Sequence, residues 1–412
     1  MLSLSLNSGQ SSRVMRSVLA FIGLYLFLLG PSQGAEWTLK GSLDQSLGYD
    51  SNVRMQADPQ GSFKYMIVPV LTFLRKTDVT EIQADATYGT QVYTEIPQFN
   101  QDIQHYGLRG LYKTDKLDWA VESSYSITPS RNNAVQDSGN FNSNATSDTW
   151  SVSPSVSYKI DELNSIILSP SYSETSFTNA SASDNFRNRS NTNVNLAWQG
   201  LWTERYSSTV SLFYSKFESQ QGSTTSLSDF AFDSVGINLS NAYSLSENWK
   251  LDGTIGGRHT ESKSNGTSGS SIGFLANASL GYTAESYSSS IFFNRSLAPS
   301  SQGNLQELTG VGLNFDYKIA DNLTASFNAN YQQSTQINST NQGDNQRARK
   351  NISIQPSINW QLSPDWTLSG SYRYRSQNRS FSGDVNSPNT DAESNLFMLS
   401  INYNWQGLSI SR

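Results

Sequence analysis

The stretch Val311–Tyr331, VGLNFDYKIADNLTASFNANY, alternates apolar and polar residues on both sides of a short turn. Its odd positions carry Val311, Leu313, Phe315, Tyr317 and Ile319, then, past Ala320-Asp321-Asn322, Leu323, Ala325, Phe327, Ala329 and Tyr331. Its even positions carry Gly312, Asn314, Asp316 and Lys318, then Thr324, Ser326, Asn328 and Asn330. A period of two sends successive side chains to opposite faces of a strand, so this is a hairpin with one apolar face and one wet face. The same hairpin recurs along the chain, and no second kind of element supplies a layer to cover the apolar faces. A sheet closed on itself, with lipid outside and water inside, pairs every backbone group and places both faces correctly. The expected fold is all-β: a transmembrane antiparallel up-and-down β-barrel.

Composition agrees with that reading. Of 412 residues only 36% are hydrophobic, yet 12% are aromatic, and mean hydropathy is -0.49. A bundle of membrane helices would be far more apolar, and a disordered chain would hold fewer aromatics. The first segment stands apart: Arg13 and Arg16 precede the apolar run Val18–Leu29, which Gly30-Pro31 breaks. That run is short for a membrane span and has the layout of an export signal, so residues 1–34 are expected to be a signal peptide and residues 35–412 the barrel. The chain has no cysteine, which excludes disulfides, thiolate metal sites and a cysteine nucleophile. A formal net charge of -6 with no basic block gives nucleic acid nothing to bind.

Alternating segments number about 18, an even count suited to a single-chain bacterial barrel. Short turns such as Lys76–Asp78, Asp161–Asn164 and Ser363–Asp365 alternate with long polar loops at Ser130–Thr146, Thr178–Ser190, Gln220–Ser228, Gln336–Gln346 and Asn378–Glu393. In such barrels the short turns are periplasmic and the long loops external. Tyr and Trp gather beside the short turns (Trp119, Trp198, Trp249, Trp360 and Trp366 among them), as an interfacial girdle requires. One strand, Phe63–Phe73, is apolar on both faces and has the weakest signal. A propeller is the other repeat fold with this spacing, but its blades contain four short strands and these units contain two long ones.

Local signatures carry a resemblance. Leu47-Gly-Tyr-Asp-Ser-Asn-Val53 ends the first strand, and Pro69-Val-Leu-Thr-Phe-Leu-Arg75 precedes an early turn. Asn294-Arg-Ser-Leu-Ala-Pro-Ser300 ends a later strand, and the chain closes on Ile401-Asn-Tyr-Asn-Trp-Gln-Gly-Leu-Ser-Ile-Ser-Arg412. Over the mature length the sequence resembles the bacterial β-barrel porin type 2 family, whose members are linked with exopolysaccharide and exosortase loci. The resemblance implies an outer-membrane conduit for a secreted exopolysaccharide, acting with periplasmic polysaccharide-export proteins. A general diffusion porin for small hydrophilic solutes is the alternative. The other partners expected are outer-membrane lipid and the barrel assembly machinery. The tail after Trp405 breaks parity at Gln406-Gly407, so it is expected to bend into the lumen or along the periplasmic rim.

By phase the wet face carries Glu81, Asp85, Arg109, Asp118, Glu122, Asp252, Arg258, Asp316, Arg373 and Arg375, the candidate channel-lining residues. Mixed charge among many Ser and Asn residues suits hydrated, hydroxyl-rich solutes, whereas a strongly selective pore would carry rings of one sign. The only histidines are His105 and His259, and His259 falls in lipid-facing phase. Catalysis, a metal site and a cofactor are not expected.

Overall fold

The computed structural model describes residues 34–137, 139–181, 184–220, 230–264, 267–303, 305–337, 347–381 and 390–411. The proposed signal segment lies outside them except for Gly34, as do most of the loops expected at Gln220–Ser228, Gln336–Gln346 and Asn378–Glu393. The strands are β1 (Glu36–Asp50), β2 (Ser62–Lys76), β3 (Thr80–Tyr93), β4 (Gln101–Lys113), β5 (Leu117–Pro129) and β6 (Thr146–Lys159). There follow β7 (Asn164–Thr178), β8 (Asn188–Thr203), β9 (Tyr206–Gln220), β10 (Phe230–Ser244), β11 (Trp249–Ser264) and β12 (Thr267–Thr283). The last third holds β13 (Tyr287–Pro299), β14 (Leu305–Ala320), β15 (Leu323–Ile337), β16 (Arg347–Gln361), β17 (Trp366–Phe381) and β18 (Thr390–Ser411). Each strand pairs antiparallel with its sequence neighbours, and β1 pairs with both β2 and β18, which closes an 18-stranded barrel.

Register fixes the faces. In the hairpin β14–β15, Phe315 lies opposite Phe327 and Tyr317 opposite Ala325 on the outside, while Asn314 lies opposite Asn328 on the inside. Outward side chains such as Leu47, Leu196, Ile237, Ile291 and Phe397 are exposed on the bare protein, as a lipid-facing surface must be. Rings pair beside the short turns: Trp249 with Tyr282 at 4.7 Å, Trp366 with Tyr403 at 4.8 Å, and Trp37 with Phe73 at 5.6 Å between centroids. A second set lies toward the long loops, with Tyr49 against Phe63 at 5.0 Å and Trp150 against Tyr172 at 5.7 Å. Amphipathic rings at both interfaces mark the two edges of the apolar band. The ambiguous β2 takes its place between β1 and β3, with Lys64 and Met66 turned inward and Phe63 and Tyr65 outward.

The C-terminal tail does not leave the wall. β18 runs on to Ser411, pairing Leu39 with Leu408, Trp37 with Ile410 and Glu36 with Ser411. A bulge at Gly407, whose φ is +84°, adds one residue between the pairs Gly41–Trp405 and Leu39–Leu408. That extra residue restores parity, so Leu408 and Ile410 again face outward. The expected turn into the lumen or along the rim is therefore corrected: the tail is the last stretch of the closing strand.

One ladder is incomplete. β12 and β13 pair from Thr283–Ser288 only up to Ala276–Arg295, although β13 continues with β14 to Pro299–Leu305. Beyond that point the β13–β14 end tucks inside the barrel, laying its outward-phase residues on the inner face of β9–β11. Leu305 packs there with Phe217 and Phe232, and Phe230 and Leu297 cover the cluster. A polar contact joins the same layers: Arg258 of β11 lies 3.7 Å from the carboxylate of Glu307, which Arg295 on the adjacent β13 also holds at 2.5 Å. The upper wall thus overlaps itself along a seam.

Candidate functional site

The half of the lumen nearer the long loops is occupied by the β5–β6 loop, which the sequence pattern places outside with the other long loops. Its neck is closed by Ser130 N donating to the Ala145 carbonyl at 2.9 Å, and a turn of 3-10 helix, Ser130–Asn133, sends it inward. Ala134 and Phe141 then bury against Met55 and Ala392, from other loops and strands at the same level. This burial of apolar side chains explains the inward path. An external loop would leave Phe141, only 4% exposed here, in water.

The far wall holds the loop through its backbone carbonyls. Arg349 Nη2 donates to Val135 and Asp137 oxygens, each at 2.9 Å. Gln306 Nε2 donates to Gln136 and Asp137 oxygens at 3.0 and 3.1 Å, and Gln377 and Arg379 both donate to the Gly139 carbonyl. Gly139 needs its φ of +69° and the absence of a side chain, since a Cβ would stand 2.5 Å from Arg349. The Asp137 carboxylate pairs with Arg189 at 3.3 Å and accepts a bond from Ser301 N, tying the loop to the tip of the tucked β13–β14 end. The two inward elements form one constriction.

Beside the loop lies a cavity of about 480 Å³ lined from β1–β4, β15–β18, the β1–β2 loop and the β5–β6 loop itself. Lys64, Arg131, Arg373 and Arg375 border it, with Asp50 as the carboxylate among its lining residues. Arg375 Nη2 lies 3.0 Å from Asp50, and its guanidinium stands 5.2 Å above the Phe141 ring. Arg131 stacks 4.7 Å over Phe99 and 5.2 Å over Tyr93, and donates to the Phe99 carbonyl at 2.7 Å. Burial pushes the Arg131 guanidinium below its usual pKa, opposed by neighbouring Tyr93.

The candidate residues read from sequence divide into three groups. Arg373 and Arg375 meet at the constriction cavity. Glu81, Asp85, Arg109, Asp118, Glu122, Asp252 and Asp316 fall on inward positions of the wall nearer the short-turn end. Arg109 pairs with Glu122 at 3.2 Å and Asp118 with Lys159 at 3.1 Å; Asp85 accepts from Thr72 at 2.9 Å and Asp316 from Ser326 at 2.6 Å. Arg258 is in inward phase but does not face open lumen: its side chain is 3% exposed, enclosed beneath the tucked β14. Sequence reading missed Asp50, Lys64, Gln91 and Arg131 at the cavity and Arg349 and Asp137 at the loop. A signal did exist for part of this: Arg373, Arg375 and Arg379 share one face of β17, and Arg349 pairs directly with Arg379. Among the described residues no group of His, Cys, Asp and Glu is arranged to hold a metal ion.

Residues 30–404 match the family described as "Putative beta-barrel porin 2". The chain belongs to this family. Solved outer-membrane barrels align with it at low identity. OpdQ of Pseudomonas aeruginosa aligns with TM-score 0.47 at 10% identity, over 89% of this chain and 99% of its own. The FrpB iron transporter of Neisseria meningitidis aligns with TM-score 0.50 at 9% identity, over 89% and 81%. No curated protein matches the sequence. This porin-family protein is an outer-membrane β-barrel channel of a bacterium.

Proposed function

We propose that this porin-family barrel conducts hydrated, hydroxyl-rich solutes, and that a secreted exopolysaccharide, the substrate implied by the family resemblance, is its cargo. The observation that supports this reading best is the make-up of the inner wall. Hydroxyl and amide groups pair across it, as in Ser124–Ser151 at 2.8 Å, Asn193–Ser171 at 3.3 Å, Asn314–Ser290 at 3.1 Å and Ser369–Asn359 at 2.8 Å. Such groups exchange hydrogen bonds with sugar hydroxyls at little cost, and part of the charge nearer the short turns is paired off, as in Arg109–Glu122 and Lys159–Asp118. A polymer must displace the β5–β6 loop to pass. In this reading periplasmic export proteins engage the short-turn end, and the barrel assembly machinery inserts the protein into outer-membrane lipid.

The loop's firm attachment favours a second reading, a diffusion porin in which the constriction stays in place and passes only small solutes. Loss of surface polysaccharide in a host lacking this protein, restored by the wild-type chain, supports export. Unchanged polymer together with rapid swelling of protein-bearing liposomes in monosaccharides rejects export and leaves the diffusion porin.

A further inference from the structure

We propose that the constriction cavity is a binding site for hydroxylated carboxylates of the sugar-acid type, such as a uronate. The proposal rests on the channel reading and names the solute class that its narrowest part would hold. Its charges do not balance. Lys64, Arg131, Arg373 and Arg375 line the cavity, and Asp50 supplies the carboxylate among the lining residues. Asp50 is itself engaged, accepting from Arg375 Nη2 at 3.0 Å, from Asn52 N at 3.0 Å and from Ser394. Arg131 donates to the Phe99 carbonyl and to Gln101 Oε1. Lys64 and Arg373 make no hydrogen bond or ion pair with the described residues; the Lys64 ammonium rests 5.7 Å above the Tyr93 ring. Two basic side chains that border one cavity, neither holding an acceptor, suit an anion, and a guanidinium near an amine suits a carboxylate.

Neutral groups narrow the class further. Gln91 borders the cavity, is 0% exposed, and leaves both its Nε2 and Oε1 without a partner. Asn351, also bordering it, leaves Nδ2 unpaired. Buried amides without partners are rare in native proteins, because each forgoes the hydrogen bonds it had in water. Here they offer both donors and an acceptor beside the cations. A ligand that satisfies all of them carries a carboxylate and, a few ångströms away, hydroxyls. The volume of about 480 Å³ accommodates one or two sugar rings.

The test uses the purified full-length barrel. Glucuronate, glucose and acetate are titrated by calorimetry in detergent and, in parallel, added to the protein in planar bilayers. Glucuronate is expected to bind, and to interrupt the single-channel current, at least tenfold more strongly than either glucose or acetate. Lys64→Gln with Arg373→Gln is expected to lose that preference tenfold or more, with heat-modifiable migration confirming a folded barrel. Gln91→Leu, which leaves every cation in place, is expected to weaken glucuronate while leaving acetate unchanged. Equal binding of glucose and glucuronate, or equal binding of acetate and glucuronate, overturns the proposal, as does wild-type affinity in the double variant. A barrel that conducts ions but binds no glucuronate rejects the site and keeps the channel. A barrel that binds glucuronate but never conducts keeps the site and rejects the channel.

Discussion

Replacing Gly407 with alanine tests how the barrel closes. At a φ of +84° an alanine is strained by roughly 1–2 kcal/mol. The contact is more severe, because a Cβ at Gly407 would stand 1.8 Å from the Leu39 carbonyl oxygen and 3.0 Å from Lys40 Cα. Both atoms are backbone, so no side chain can rotate away. The cheapest relief is for the tail to peel from β1, giving up the pairs Leu39–Leu408, Thr38–Ser409, Trp37–Ile410 and Glu36–Ser411. At about 0.5–1.5 kcal/mol for each ladder bond, with two bonds in every second pair, the loss is roughly 2–6 kcal/mol. Gly370→Ala is the control, since nothing lies within 4 Å of its added carbon and its backbone is ordinary extended strand. The assay is the urea midpoint of the folded, fast-migrating form after reconstitution into lipid. Gly407→Ala is expected to lower it clearly and Gly370→Ala to leave it within error. Equal midpoints would refute the bulge as the closing device.

Four further outcomes are expected. Arginine at Phe315 or Phe327, which pair on the lipid face, should destabilise the barrel by roughly 2–4 kcal/mol, read as loss of heat-modifiable protein in outer-membrane fractions. Glu307→Gln leaves Arg258 and Arg295 facing each other without a carboxylate; because Arg295 is 30% exposed, the seam should weaken by about 1–3 kcal/mol, measured as faster proteolysis near residue 300. The chain has no cysteine, so Phe232→Cys with Leu305→Cys should cross-link in the folded barrel if the β13–β14 end is tucked, and a folded barrel that fails to cross-link denies the overlap. Arg373→Glu with Arg375→Glu should move the reversal potential in a salt gradient toward cations, more at low salt than at high.

The strands were legible because the period of two is strict and the hairpin turns are short. Val311–Tyr331 is paired as its alternation demands, and the aromatic residues beside the turns lie where their phase placed them. Three features were hidden for physical reasons. At Gly407 a single inserted residue inverts parity in the sequence but preserves it in space. At the seam, Leu297, Leu305 and Glu307 keep an outward phase, yet the face they meet is the barrel's own inner wall. The aromatic Phe217 and Phe232 at inward positions are the trace of that overlap in the sequence. The β5–β6 loop has the Asn, Ser and Gly content of an external loop, and its anchors lie far along the chain: Gln306, Arg349 and Arg379 hold carbonyls of residues 135–139. No local pattern encodes contacts over that separation. The candidate site was therefore half legible, with Arg373 and Arg375 readable from strand phase and Asp50, Lys64 and Arg131 brought to them only by closure of the barrel.

Single-channel conductance of the wild-type barrel, beside a variant whose residues 132–142 are replaced by a short Gly-Ser link, tests the constricted-channel account most directly. The link is joined across the Ser130–Ala145 neck, which β5 and β6 already hold together. The wild type should give small, steady openings, and the shortened loop should raise conductance several-fold, because an 18-stranded barrel without its inward loop encloses a wide aqueous lumen. Equal conductance in two folded proteins would contradict the loop's placement, and silence in both would contradict the channel.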